Sequence, residues 1–334
     1  MRRRDFIKVV AGSAVAWPLA ARAQQPSMPV IGFLNTTSPD AYRLRGFHQG
    51  LKEAGFVEGE NVAVEYRWAD NQTDRLQTLA AELVRRQVAV IVAGGGFPSG
   101  LAAKTETKSI PVLFVAGEDP VKLGLVSSLA KPDGNLTGIN IMVGEVVTKR
   151  LELLRDLLPK AARIDVLVDP ISSTTTESTL RGVDAAAQTM GMQIRAFKAS
   201  TIREIDAAFA AFVNERPDAL FIGISPFLLD RRVQLAQLAA RHALPAIYAD
   251  REHAEVGGLM SYGASIGDAY RQLGVYAGRV LKGAKPADLP VVQSSKLELV
   301  INHSTARMLG LTRRRRCSAL RTTLSSSDPN CCTA

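Results

Sequence analysis

The chain has 334 residues, enough for two domains of ordinary size, and a formal net charge of +9. Residues 1–23 carry +4 of that charge and residues 311–334 another +4, so the long middle stretch is left with +1. A nearly neutral body gives no ground for nucleic-acid binding. It also holds no cysteine, since Cys317, Cys331 and Cys332 are the only ones. Four scattered histidines (His48, His242, His253, His303) show neither HExxH nor paired spacing, so neither a metal site nor a cofactor is expected.

The chain opens with basic residues, continues in an apolar run from Val9 to Ala20, and reaches the small-x-small triplet Ala21-Arg22-Ala23. This is the grammar of an export signal cut after Ala23. The run is shorter than the roughly 20 apolar residues that span a bilayer. Arg3-Arg4-Asp5-Phe6-Ile7-Lys8 resembles a twin-arginine signal, the alternative being an arginine-rich general secretory signal. Both routes take the mature protein out of the cytoplasm.

Short apolar runs then alternate with amphipathic ones. MPVIGFL (28–34) reads as a strand, and residues 40–54 as a helix with Leu44, Phe47 and Leu51 on one face and Gly55 at its stop. NVAVEYRW is a second strand, and Thr73 is a candidate cap for a helix carrying Leu76, Leu79, Ala80 and Leu83. VAVIVAGGG, IPVLFVA (110–116) and LTGINI (136–141) complete the set. The order then repeats: strand ARIDVLVDP, a helix around 180–190, strand MQIRAF, a helix capped by Thr201, strand DALFIGISP, a helix over 231–242, strand ALPAIYAD and strand GGLMSYG. Leu44, Arg45, Gly46 and Gly55 recur as Leu180, Arg181, Gly182 and Gly191, each 136 positions later. After Leu311 the periodicity ends in four consecutive arginines, serines and threonines, so residues 312–334 read as a disordered tail, out of frame with what precedes it.

Alternating strands and helices imply parallel sheets with crossovers on both faces. Two copies imply two similar doubly wound α/β lobes, each presenting the carboxyl ends of its strands to a shared cleft. The lobes are expected at 28–140 plus 264–290, and at 141–263 plus 291–311. The crossings would lie at 137–143, 261–264 and 289–294, forming a three-segment hinge.

Residues 109–140, 241–263 and 280–311, in this order and spacing, make the chain similar to the periplasmic solute-binding proteins of ABC importers, the family that includes tryptophan and other amino-acid binders. The resemblance covers nearly all of 29–311. It implies the type I periplasmic-binding fold, a small polar organic ligand such as an amino acid, and no catalysis. It also implies a monomeric, soluble periplasmic protein whose partners are a membrane permease and an ATPase.

Such proteins close on their ligand through loops at strand ends of both lobes. In the first lobe the candidates are Asn35 and Thr36, the backbone of Gly95 and Gly96, and Asp119. In the second they are Asp169, Ser225, Phe227 and Asp250, with Tyr262 at a lobe crossing. The glycines would let amide groups approach a carboxylate. Asp250 and Asp119 would take an ammonium group from opposite sides.

Two alternatives have sequence support. Gly263-Ala264-Ser265-Ile266-Gly267 fits the G-x-S-x-G elbow of a serine hydrolase, with Asp268 or Asp288 and His303 following in order. The same two-lobed plan also serves ligand-sensing receptor modules, which need a DNA-binding helix or a membrane anchor.

Overall fold

The computed structural model describes residues 28–141 and 146–311, and the backbone of Cys332–Thr333. The export signal and nearly all of the tail lie outside the described residues. The first sheet is built from β1 (Val30–Asn35), β2 (Ala63–Trp68), β3 (Val90–Ala93), β4 (Val112–Ala116), β5 (Leu136–Asn140) and β11 (Val292–Gln293), in the order β11-β5-β4-β3-β1-β2. All its pairings are parallel. Helices α1 (Ala41–Glu53) and α10 (Ile266–Leu281) cover one face around Phe33, Phe47 and Leu273. Helices α2 (Arg75–Arg85) and α3 (Phe97–Glu106) cover the other around Leu34, Leu83 and Phe114. The fully buried runs of β3 and β4 are what a sheet covered on both faces requires.

The second sheet contains β6 (Arg163–Val168), β7 (Gln193–Lys198), β8 (Ala219–Ile222), β9 (Ala246–Tyr248), β10 (Met260–Ala264), β12 (Leu297–Ile301) and β13 (Cys332–Thr333), ordered β13-β12-β10-β9-β8-β6-β7. Helices α4 (Val146–Leu157) and α5 (Ser173–Met190) pack one face, while α6 (Ile202–Glu215) and α8 (Arg232–Arg241) pack the other. Short helices α7 (Pro226–Asp230), α9 (Arg251–Glu255) and α11 (His303–Met308) complete the chain. The two lobes are therefore doubly wound parallel α/β units, as the repeat implies.

Local differences from the sequence reading have physical causes. Strand β12, which follows the last strand of the repeat, runs antiparallel to β10, because α10 leaves for the first lobe and β12 returns along the outer edge. Val292 and Gln293 pair with β5 in the first sheet rather than joining the second lobe. Cys332–Thr333, expected to be disordered, pairs with β12. Helix α2 starts at Arg75 with Asp74 at its cap, not Thr73. Helix α5 starts at Ser173, earlier than the apolar spacing around Leu180 suggests, since its first turns are built of serine and threonine.

The chain passes between the sheets three times: after β5, at Ser265, and at residues 294–296. These crossings are laced together. The Ser294 amide donates to the Asn140 carbonyl (2.8 Å) and the Ser265 amide to the Lys296 carbonyl (2.9 Å).

Candidate functional site

The carboxyl ends of both sheets face a cavity of about 480 Å³ between the lobes. In the first lobe its wall starts where β1 ends. Asn35 Nδ2 donates to Tyr270 Oη (3.1 Å), and Tyr270 Oη donates to the Gly94 carbonyl (2.7 Å). Thr36 Oγ1 donates to the Gly95 carbonyl (2.7 Å), and a Cβ on Gly95 would overlap the Thr36 amide. The glycine is thus needed for two loops to lie against each other. Gly96 then adopts a φ of +82° at the start of α3, and no side chain caps that helix.

In the second lobe, Asp169 follows β6. Its carboxylate accepts from the Ile171 amide (3.0 Å) and the Ser172 hydroxyl (3.4 Å). Burial pushes its carboxyl above the usual range, and these donors, with Ser225, pull the other way. Helix α5 begins just beyond without a side-chain cap, and Ser173, Thr174 and Thr175 face the cavity. Ser225 Oγ accepts from the Leu228 amide (3.0 Å), capping α7.

Asp250, at the end of β9, is only 4 % exposed, and its carboxylate accepts no hydrogen bond among the described residues. It nonetheless lines the cavity. A buried carboxylate without donors is costly unless a cation meets it.

Side-chain contacts bridge the two lobes. Asn71 Nδ2 of the first donates to Asp230 of the second. Arg232 lies 3.6 Å from Asp40, and Thr175 Oγ1 donates to Glu118 Oε1 (2.6 Å).

Of the residues singled out from the sequence, Thr36, Gly95, Gly96, Asp169, Ser225, Phe227 and Asp250 line the cavity. Three do not. Asn35 is 1 % exposed and turned inward, its amide engaged by Tyr270 and its carbonyl by Thr37. Asp119 closes its own turn by accepting from the Val121 amide (2.9 Å). Tyr262 sits mid-strand opposite Leu299, packed on the second lobe's core. Conversely, Arg43 and Tyr270 line the cavity without having been singled out. Arg43 reads in the sequence as an ordinary helix-surface charge, and Tyr270 as one more apolar-face residue of α10. Only the serine–threonine run before Leu180 carried a signal for the α5 start.

The hydrolase pattern does not assemble. Ser265 Oγ donates to Glu298 (2.5 Å), which also pairs with Arg251 (3.2 Å). Asp268 is engaged by Arg271 and Gln272. Among the described residues no imidazole bonds Ser265.

Comparison with known proteins is consistent with this geometry. The model of the family described as ABC transporter substrate binding protein matches residues 27–323. A tyrosine-binding protein of Clostridioides difficile (strain R20291) is 28% identical over 271 residues, 80% of this chain and 76% of that protein. A Streptococcus pneumonia ABC domain solved in complex with L-Trp superposes with a TM-score of 0.73 at 26% identity, covering 84% of this chain and 95% of that one. A ligand-free, open substrate-binding protein with adhesive properties from Clostridium difficile gives a TM-score of 0.64 at 27% identity, covering 86% and 96%.

Proposed function

Because the chain belongs to the family of ABC transporter substrate-binding proteins, we propose that it closes its two lobes on an amino acid with an aromatic side chain. It would hand that ligand, chemically unchanged, to a membrane permease driven by an ATPase. The observation that carries this reading is Asp250, a buried carboxylate without donors on the wall of a cavity between the lobes. An α-ammonium group would supply the donors it lacks. The α-carboxylate is assigned to the uncapped starts of α3 and α5, whose free amide groups and dipole ends favour an anion. Phe97, Phe227 and Ile171 offer apolar surface for the side chain. The relatives that bind tyrosine and L-Trp support the choice of an aromatic one.

Transport outside the cytoplasm rests on residues 1–23 and on the family. N-terminal sequencing of secreted protein, expected to begin at Gln24, checks it. A thermal-shift screen against the common amino acids tests the ligand class. Tyrosine, tryptophan or phenylalanine should raise the melting temperature, and a rise only with sugars or inorganic ions would overturn the assignment.

A further inference from the structure

Two charged groups, one on the cavity wall and one behind it, have no part in the ligand scheme above. Glu252, on α9 of the second lobe, is 3 % exposed, and neither of its carboxylate oxygens accepts a hydrogen bond among the described residues. Arg43, on α1 of the first lobe, lies 3.8 Å away, and its Nε also has no hydrogen bond. A carboxylate and a guanidinium normally close to about 2.8 Å when paired. This pair faces across the lobe boundary at longer range. Asp250 stands two residues before Glu252, and its charge acts on Arg43 as well. Arg43 therefore shares the cavity wall with one buried carboxylate, Asp250, and pairs with another, Glu252, that does not line it.

That placement has a consequence for ligand choice. If Arg43 swung to Asp250, the cavity would lose the one buried carboxylate among its described lining residues that accepts no hydrogen bond. If the charge of Arg43 stood uncompensated, it would repel an ammonium arriving at Asp250. We propose that Glu252 is a specificity-determining positioning residue: by holding Arg43, it keeps Asp250 free and makes the cavity prefer a ligand that bears an ammonium group. This rests on the assignment of Asp250 as the ammonium site.

The pair also links binding to protons. Burial raises the Glu252 carboxyl above the glutamate range, the charge of Asp250 raises it further, and Arg43 opposes both. An ammonium group at Asp250 cancels that second push, so Glu252 ionises more readily and binding releases a proton. Affinity for an ammonium ligand then rises with pH through the titration of Glu252. The other groups around it are Asp40 and Tyr42 of α1, His253 beside it, Arg232 of α8 and the Arg251–Glu298 pair. Burial holds His253 down at about 4 and Tyr42 up at about 12, so neither changes charge near neutrality.

The test is calorimetric titration of L-tyrosine and of its des-amino analogue 3-(4-hydroxyphenyl)propanoate, at about pH 6 and about pH 8, in buffers of different ionisation enthalpy. Wild type should prefer tyrosine by about tenfold or more, increasingly so at the higher pH, with proton release on binding. Glu252→Gln should lose about tenfold for tyrosine, change little for the analogue and flatten the pH dependence. The double variant Glu252→Gln with Arg43→Gln should recover the preference, because the Arg43 guanidinium then no longer competes for Asp250, while Arg150, the other buried guanidinium whose charge meets Asp250, is the same in every variant. It also serves if the single variant does not fold. Equal weakening of both ligands, an unchanged preference in Glu252→Gln, or no recovery in the double variant would overturn the proposal while leaving the amino-acid reading intact. Failure of wild type to bind tyrosine, phenylalanine and tryptophan alike would overturn both.

Discussion

Gly46 on α1 lies against the carbonyl oxygen of Gly267 on α10, so close that a Cβ on Gly46 would overlap it. Gly50 meets the Arg271 carbonyl one turn on, and Gly274 meets the Phe47 carbonyl from the other side. These contacts clamp α10, the helix that returns from the second crossing, onto the first lobe. A Cβ on Gly182, the repeat partner of Gly46, would first meet the Val147 side chain, at 3.0 Å. Gly46→Ala should therefore cost about 1–3 kcal/mol through forced helix separation, and Gly182→Ala clearly less. Thermal unfolding of the two variants, compared under one condition, checks this. Equal losses would mean the α1–α10 clamp is not what the first glycine serves.

The same pair shows what the sequence made legible. The repeated Leu-Arg-Gly and the alternation of runs contain the two lobes, because strand and helix periodicities are local properties of the chain. What each copy of the motif packs against is not local. One glycine meets a helix backbone brought from more than 200 positions away, the other a valine. The site divides likewise. Gly95, Gly96, Asp169, Ser225 and Asp250 follow strands directly, so strand-end reasoning finds them. Arg43 and Tyr270 sit inside helices and reach the cavity only because α1 and α10 pack together. Asn35 and Asp119 lie on the right loops but turn their side chains to their own backbone or to Tyr270, which residue type alone does not reveal.

Asp250→Asn should weaken binding of an aromatic amino acid by about 10–100-fold, since it removes a charge-assisted contact worth a few kcal/mol. Calorimetric affinity is the readout, with the melting temperature as a control for folding. An unchanged affinity would remove Asp250 from the site.

Ser265→Ala should lower stability by about 1 kcal/mol by removing the hydroxyl that donates to Glu298 at the lobe crossing. Neither it nor wild type should turn over nitrophenyl esters. Serine-dependent turnover by wild type would revive the hydrolase reading.

Acid should destabilise the protein through His253. Burial lowers its imidazole from 6.5 to about 4, so the folded state holds it neutral while the unfolded chain takes up a proton first. Its contribution is full above the unfolded value and declines as pH falls from 6.5 towards about 4, by about 3 kcal/mol in all. His253→Phe, which keeps a ring stacked on Tyr248, should flatten the unfolding profile in that window. A profile as steep as that of wild type would assign the acid sensitivity elsewhere.

Asn71–Asp230 and Asp40–Arg232 join the lobes beside the cavity. Asp230→Ala combined with Arg232→Ala should shift the ligand-free protein further towards open lobes, seen as a larger radius of gyration than that of ligand-free wild type in solution scattering. Added ligand should largely restore the compact form. Individual rim pairs contribute only about 0–1 kcal/mol, so losing two should lower affinity by no more than about thirtyfold.

The central claim is met most directly by titrating wild type with L-tyrosine, L-tryptophan and L-phenylalanine in a calorimeter while following compaction by scattering. One ligand molecule per chain, micromolar or tighter affinity for at least one of the three, and lobes that close on binding are the results expected. Heat from none of them, with the lobes unresponsive, would contradict an aromatic amino acid as the occupant of this cavity.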